Sequence, residues 1–278
     1  MKNALLFFLL VQSFSVSAQD CAHCTTLPNW LTIFNPYSLP NVPEPDPLIE
    51  IRTPTLPRDA GATYCRRNTD VVDTIVFHHT QTRSGATVQD INEMQLDRGT
   101  ADDPWLMIGY HYTINSPYAG ATVPAPSVNQ GRPFDISGSH AGSDVFKPAS
   151  AETKRLMGLD GAMRCGTATG VLTEADDKFN DAGNVKANYN TVAIAVIGNY
   201  AKRTSENTGG YPANRPRYPS VATIEIAGKL ACELQRKYPR LKEIKWHNYY
   251  KSTDCPGLVK DRIPQIKAVA ARFGCTFN

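Results

Sequence analysis

The sequence predicts an α/β (α+β) fold in which a central mixed β-sheet is flanked by helices. Two short apolar runs rich in β-branched residues, 74–77 and 191–196, have the length and composition of buried strands. The segments 88–95 and 221–234 instead repeat their apolar residues at the spacing of a helix face. Strands that alternate with helices along a chain favour a sheet covered by helices.

The first 18 residues have the pattern of a secretory signal peptide. Lys2 precedes an apolar run from Ala4 to Val11, and small residues place a cleavage site after Ala18. The run is too short to span a membrane, and an uncleaved anchor is the alternative interpretation. No later segment is long and apolar enough to cross a bilayer. We therefore expect an exported protein, periplasmic or secreted, without an integral membrane segment.

Residues 19–62 are expected to form a Pro-rich extension, and residues 63–278 a single domain. Proline has no amide donor and restricts the residue before it, so the extension should be extended rather than helical. Its apolar residues, among them Trp30 and Phe34, indicate that it packs on the domain. The polar segments 151–190 and 204–219 have the composition of two surface insertions.

Local patterns predict the order of elements within the domain. A serine at the cap and a proline beyond the end bound the longest helix. The expected elements, in chain order, are a strand at 74–77, a helix from Val88 to a stop at Gly99, strands within 105–117 and 190–200, a helix from Ser220 to before Pro239, and a helix from Pro264 to Phe273.

The composition argues against nucleic acid as a partner. The formal net charge is only +3, and the Lys and Arg residues are dispersed rather than clustered. The hydrophobic share of 41% is ordinary for a soluble globular protein. We expect a monomer.

The cysteines predict disulfides with one thiol left over. In an exported protein most cysteines pair, and an odd count leaves one free. Cys21 and Cys24 are close enough for a local pair, while Cys232 and Cys275 are placed to link the two C-terminal helices. Six paired cysteines allow 15 connectivities, which stay open. The seven are Cys21, Cys24, Cys65, Cys165, Cys232, Cys255 and Cys275.

Several residues able to carry chemistry follow the predicted strands. Taken singly, a histidine at a strand end is usually structural, a tyrosine in a strand is usually core, and an exported cysteine is usually half of a disulfide. Taken together they indicate zinc, because a catalytic zinc site takes three N, S or O donors and leaves one position open. The set is His78, His79, Tyr110, His111, His140, His247 and Cys255.

The stretch WHNYYKSTDCPG brings two of these donors close in sequence. His247 precedes Cys255 by eight residues, so a loop that folds back can bring both donors together, and Pro256 and Gly257 would fix the turn. A nucleophilic thiol paired with histidine is the competing interpretation. A free thiol would have to escape oxidation outside the cytoplasm, whereas zinc would mask it.

The segments TIVFHHT, IGYHYTI, SHAG, NTVAIAVIGNY and WHNYYKSTDCPG resemble those of zinc-dependent N-acetylmuramoyl-L-alanine amidases in order and spacing. This superfamily also holds the peptidoglycan recognition proteins and the phage lysozyme-type amidases. The resemblance covers roughly residues 70–270. It implies zinc ligands His78, His247 and Cys255, with Tyr110 and Thr253 as catalytic residues beside the reacting water.

The resemblance also implies residues that bind the substrate. His140 matches a histidine near the substrate groove, and His79 and His111 are further candidates. Because side chains alternate along a strand, His79 should point away from the ligand His78, which favours a packing role or one behind the ligand.

One position separates this chain from a branch of the superfamily. Cytoplasmic anhydromuramyl amidases carry a glutamate base in the strand equivalent to AIAVIG and an aspartate as third ligand, where this chain has Ala195 and Cys255. Recognition proteins that bind without cutting typically lack the metal cysteine, so Cys255 favours catalysis. The resemblance thus implies Zn2+-dependent hydrolysis of the amide bond between the lactyl group of N-acetylmuramic acid and L-alanine, in peptidoglycan or muropeptides. The alternative is a non-catalytic peptidoglycan-binding module.

Overall fold

The computed structural model describes residues 46–82, 85–99, 105–115, 126–138, 140–141, 144–167, 169–201 and 218–278. The signal peptide, most of the Pro-rich extension, Cys21, Cys24 and nearly all of the segment 204–219 lie outside these residues. From Pro47 onward the described residues form one unit.

A mixed six-stranded sheet occupies the centre of this unit, as the sequence predicts. Its order is β1-β5-β4-β10-β3-β11, and only the β4–β5 pairing is antiparallel. Every residue of the two adjacent six-residue strands β3 and β10 is buried, which explains their continuous apolar pattern. The strands are β1 (Ile51–Arg52), β3 (Thr74–His79), β4 (Tyr112–Ile114), β5 (Val128–Gln130), β10 (Thr191–Val196) and β11 (Glu243–Trp246).

The strand expected within 105–117 is shorter than its sequence indicates. Only Tyr112–Ile114 pairs in the sheet. The preceding backbone amides donate to side chains instead, Ile108 N–H to Asn92 Oδ1 at 2.7 Å and Gly109 N–H to Gln95 Oε1 at 2.6 Å. An amide that donates to a side chain is lost to a β-ladder, so the strand starts only after this segment.

The helices confirm the sequence pattern. Helix α1 (Val88–Leu96) starts at a Thr87–Asp90 capping box, and α4 (Val221–Lys237) starts at Ser220, whose hydroxyl accepts from the Thr223 amide. Helix α5 (Ile263–Arg272) packs closely on α4, since a Cβ on Gly228 would lie 2.4 Å from Val269. None of the helices in the described part of the chain combines the length and apolar character needed to cross a bilayer.

The segment 151–190 is more structured and more buried than its polar composition indicates. Met157, Met163 and Val185 are 0% exposed. Such buried apolar residues number only about one per element, so they produce no periodic pattern in the sequence. Strand β7 pairs antiparallel with β2, which carries the disulfide partner of Cys165. The elements are α2 (Ala151–Met157), β7 (Met163–Thr167), β8 (Thr173–Glu174), β9 (Val185–Lys186) and α3 (Ala187–Asn190), with partners β2 (Thr63–Arg67) and β6 (Phe146–Lys147).

Two disulfides join described cysteines. Cys65 pairs with Cys165, and Cys232 on α4 pairs with Cys275 after α5, which confirms the expected C-terminal link. Cys255 is the free cysteine of the described residues, and it is buried.

Candidate metal centre

Strand register brings His78 and His247 to the same edge of the sheet. β3 and β11 run parallel, with Trp246 opposite Phe77, so the residues that follow each of these lie side by side. His78 is the penultimate residue of β3, and His247 opens the 3-10 helix His247–Tyr249 directly after β11. The pairing of β3 with β11 thus brings together two residues that are 169 positions apart in the sequence.

Cys255 completes a group of three donors. The ligand atoms of His78, His247 and Cys255 all lie within 4.8 Å of one another, and within the described part of the chain this is the one such group of His, Cys, Asp or Glu side chains. Cys255 Sγ is 3.5 Å from His78 Nδ1, and the two imidazole centroids are 4.6 Å apart. The structure therefore brings together the three residues that the sequence proposes as metal ligands.

Backbone hydrogen bonds fix the turn that presents the sulfur. Asn248 N–H donates to Cys255 O at 3.0 Å, which closes the loop between the two donors, and Cys255 N–H donates to Thr253 Oγ1 at 3.3 Å. Gly257 has φ +57°, and a Cβ there would lie 2.1 Å from Tyr200 O. Only glycine fits that approach, so the Cys-Pro-Gly sequence determines where the sulfur points.

Burial sets the protonation of the three donors. It lowers the pKa of His247 to about 4 and that of His78 well below its usual value, with the neighbouring imidazoles adding to the effect at His78. Both rings are therefore neutral near pH 7, the form that binds metals. Burial raises the pKa of the Cys255 thiol to about 12, although the His79 amide donates to its sulfur at 3.4 Å. A divalent cation would reverse this preference and favour the thiolate.

The donor set fits zinc. Two imidazoles and one sulfur match a three-ligand zinc site with one open position. His247 Nδ1 is buried and has no hydrogen-bond partner among the described residues, an arrangement that costs free energy unless something binds there. A bound cation would supply that partner.

Tyr110 lies beside His78, and a glutamine on α1 holds it. The two rings are 5.2 Å apart between centroids. Gln95 makes a side-chain hydrogen bond to Tyr110, while its Oε1 accepts from Gly109 N–H and so fixes the orientation of the amide. Burial, with a contribution from Cys255, raises the pKa of Tyr110, so the phenol stays protonated.

Gln95 was not among the site residues that the sequence proposes. It lies on the buried face of α1, where it is 5% exposed, in register with Val88 and Ile91. A polar residue at an otherwise apolar position of a helix face was the available signal, because buried amides need partners.

His140, His79 and His111 are all buried, at 5%, 1% and 0% exposure. His140 lies behind His78: its Nδ1 is 3.0 Å from His78 Nε2, and its Nε2 is 3.0 Å from Thr191 Oγ1. The structure thus places it against a ligand rather than at an exposed surface.

The other two histidines hold the backbone. His79 Nδ1 accepts from Tyr200 N–H at 2.8 Å, and His111 Nδ1 accepts from Ala193 N–H at 3.0 Å. The His79 ring therefore ties the segment after β10 to β3, and the His111 ring ties β10 to the segment just before β4.

The residue beside His78 on the next strand carries no carboxylate. In the β3–β10 register His78 is opposite Ala195, which is fully buried. Paired residues of parallel strands project to the same face, so this is where a strand-borne acid would reach the site. Any proton transfer here must use other groups.

The chain belongs to the N-acetylmuramoyl-L-alanine amidase family, whose match spans residues 67–258. All three proposed ligands, Tyr110 and Thr253 fall within that span. No curated protein matches the chain.

Solved structures with a similar fold have low sequence identity to the chain. N-acetylmuramoyl-L-alanine amidase LysC from Clostridium intestinale URNW is 20% identical, with a TM-score of 0.47 over 80% of this chain and 97% of that one. The Ph2119 endolysin of a Thermus scotoductus bacteriophage is 16% identical, with a TM-score of 0.43 over 79% and 98%. A variant of Drosophila PGRP-LB is 17% identical, with a TM-score of 0.42 over 77% and 94%.

Proposed function

We propose that this protein is a zinc-dependent N-acetylmuramoyl-L-alanine amidase. It hydrolyses the amide bond that joins the lactyl group of N-acetylmuramic acid to L-alanine, in peptidoglycan or in muropeptides. The observation that carries the proposal is the convergence of His78, His247 and Cys255 within 4.8 Å, inside the span that matches the amidase family.

His78, His247 and Cys255 would hold the zinc ion, and the burial of His78 and Cys255 limits the access of competing water. Zinc, when bound, supplies Lewis-acid activation of the amide carbonyl and of water. The chain itself must then stabilise the oxyanion that develops on the carbonyl oxygen.

Tyr110 is the residue best suited to that task. Gln95 makes a side-chain hydrogen bond to Tyr110, and its Oε1 already accepts from Gly109 N–H, so its amide N–H is the group best placed to donate to the phenol oxygen. The tyrosine's own proton would then be available to the oxyanion. The raised pKa keeps that proton in place at neutral pH. Loss of one such donor typically costs about 2.7–4 kcal/mol of barrier.

Thr253 has a second, smaller role in the proposal. Its hydroxyl oxygen accepts from the Cys255 amide, which leaves its proton available to orient water or the oxyanion. The same hydrogen bond holds the turn of the ligand cysteine, so Thr253 links the metal site to the catalytic groups.

The non-catalytic binding module is the alternative function. It requires no metal ligands, whereas here the three donors are present and one of their ring nitrogens has no other partner among the described residues. A thiol hydrolase built on Cys255 is less well supported, because nucleophilic cysteines have a lowered pKa and that of Cys255 is raised to about 12.

We place the enzyme outside the cytoplasm, in the periplasm or secreted, after cleavage near Ala18. The disulfides Cys65–Cys165 and Cys232–Cys275 support this placement, since disulfides persist in oxidising compartments.

Digestion of purified sacculi tests the activity. We expect mass spectrometry to find free stem peptides that begin with L-alanine, together with glycan strands that lack them. A chelator should stop the reaction, and added zinc should restore it. Binding to sacculi without any release of stem peptide would instead establish the non-catalytic module, and activity that survives the chelator but not thiol alkylation would establish a thiol hydrolase.

A further inference from the structure

A chain of hydrogen bonds runs inward from the ligand His78 to the backbone of α3. His78 Nε2 is 3.0 Å from His140 Nδ1, and His140 Nε2 is 3.0 Å from Thr191 Oγ1. Thr191 Oγ1 in turn donates to Ala187 O at 2.6 Å. His78, His140 and Thr191 are at most 5% exposed, so bulk water is a poor substitute for any of these partners.

The hydrogen bond from Thr191 to Ala187 O determines which atom donates in each of the other two hydrogen bonds. A carbonyl oxygen only accepts, so the single hydroxyl proton of Thr191 belongs to Ala187 O. Thr191 Oγ1 must then accept from His140 Nε2–H. A neutral imidazole carries one proton, so His140 Nδ1 is bare and must accept from His78 Nε2–H. This leaves Nδ1 of His78 unprotonated, and it is the nitrogen that faces Cys255 Sγ at 3.5 Å.

We propose that His140, oriented by Thr191, is a positioning residue that holds His78 in the tautomer whose bare Nδ1 faces the metal site. His140 itself touches neither metal nor substrate in this account. A hydrogen bond to the far nitrogen of a ligand histidine fixes both its ring orientation and its tautomer. The inference rests on the proposed metal site, but its first test needs neither metal nor activity.

The surroundings of His140 are built to hold its ring in place. The Asn188 side-chain oxygen accepts from the amides of His140 and Ala141, at 3.2 and 2.8 Å. Gly138 leaves the space that the ring fills, because a Cβ there would lie 2.4 Å from His140 Cδ2. These contacts fix the ring between His78 and Thr191, and they leave neither of its nitrogens for a substrate.

The tautomer can be measured directly in the metal-free protein. Ring 15N chemical shifts should show a protonated Nε2 and a bare Nδ1 for both His78 and His140. A protonated Nδ1 on His78 in the metal-free wild type would overturn the proposal. An absence of amidase activity would leave this measurement untouched, so the two proposals fail separately.

Matched variants then test the consequence for metal binding. His140→Leu removes the acceptor and should weaken zinc affinity about 10- to 100-fold, with a mixed His78 tautomer before metal is added. His140→Asn offers a side-chain oxygen near the position of Nδ1 and should recover most of that loss. Equal zinc affinity in the wild type and both variants would contradict the proposal.

Thr191 offers a second pair if the His140 variants fail to fold. Thr191→Val keeps the shape and removes the hydroxyl, while Thr191→Ser keeps the hydroxyl. The valine variant should change the His140 tautomer and lower zinc affinity, and the serine variant should match the wild type in both. If the valine and serine variants behave alike, the Thr191 hydroxyl does not direct the chain of hydrogen bonds and the proposal is wrong.

Discussion

The proposed metal-binding edge and the layer that supports it differ in how the sequence encodes them. We call the three donors the ligand edge: His78, His247 and Cys255. We call the buried polar residues that contact His78 or Tyr110, directly or through His140, the supporting layer: Gln95, His140, Asn188 and Thr191. The ligand edge comes from strand ends and a tight turn with recognisable local sequence. The supporting layer comes from α1, α3, a loop and the start of β10, and two of its members, Gln95 and Asn188, lie in none of the segments that carry the family resemblance.

This difference indicates that the ligand edge and the supporting layer have separate roles. Changes in the ligand edge should remove the metal, whereas changes in the supporting layer should leave the metal or the substrate poorly oriented. Variants that separate zinc content from turnover therefore test this difference.

Cys255→Ser should cause the largest loss. It removes the one sulfur of the ligand edge, so the purified variant should contain no zinc and release no stem peptide. Metal analysis and sacculus digestion measure the two outcomes. Asp254→Asn is the matched control, because Asp254 is exposed and lies beside the ligand. If the serine variant keeps full zinc and activity, or if the asparagine variant loses its zinc, the ligand assignment is wrong.

Tyr110→Phe should slow turnover by about 100- to 1,000-fold while leaving zinc content unchanged, because it removes a donor to the oxyanion and no ligand. The measurement is kcat on a soluble muropeptide alongside metal analysis. Tyr249→Phe is the control, since Tyr249 is 56% exposed and its hydroxyl has no role in the account. Unchanged turnover in the Tyr110 variant would remove it from the mechanism.

Gln95→Leu should lower turnover by about 10-fold through Tyr110, again without loss of zinc. It should also lower the free energy of unfolding by about 1–3 kcal/mol, because Gly109 N–H loses its acceptor. A double-mutant cycle separates these effects: in the Tyr110→Phe background, Gln95→Leu should slow turnover no further. Fully additive losses would show that Gln95 does not act through Tyr110.

Thr253→Val should have the smallest effect, with turnover about 2- to 10-fold lower from the loss of one hydrogen bond to the Cys255 amide. Thr253→Ser keeps the hydroxyl and should behave like the wild type in the same assay. If the valine variant keeps wild-type turnover, Thr253 has no role in the turn or in the reaction.

The sequence predicted the sheet centre and the long helices well, because those elements carry strong local patterns. Strand Thr74–His79 is continuously apolar up to its histidines, and Ser220 marks the start of α4. The segment 151–190 was predicted less well, since its short elements are held by the Cys65–Cys165 disulfide and by single buried side chains. Those contacts join distant parts of the chain and leave no local periodicity.

The same contrast between local sequence patterns and contacts made by folding applies to the site residues. The convergence of the three proposed ligands could be predicted, because His247 and Cys255 lie in one distinctive stretch and His78 lies near the end of a clear strand. Thr191 and Gln95 were not predicted as site residues, because a polar side chain gains its role from a partner that folding supplies. Thr191 and His140 are 51 residues apart in the sequence, and neither local sequence predicts their contact.

The proposed function depends on a zinc centre formed by His78, His247 and Cys255. X-ray absorption at the zinc edge of the purified wild-type protein would reveal the ligands of a bound metal. We expect one bound zinc with one sulfur at about 2.3 Å and two imidazole nitrogens at about 2.0–2.1 Å. A protein without zinc, or a zinc ion whose shell contains no sulfur or more than one, would contradict it.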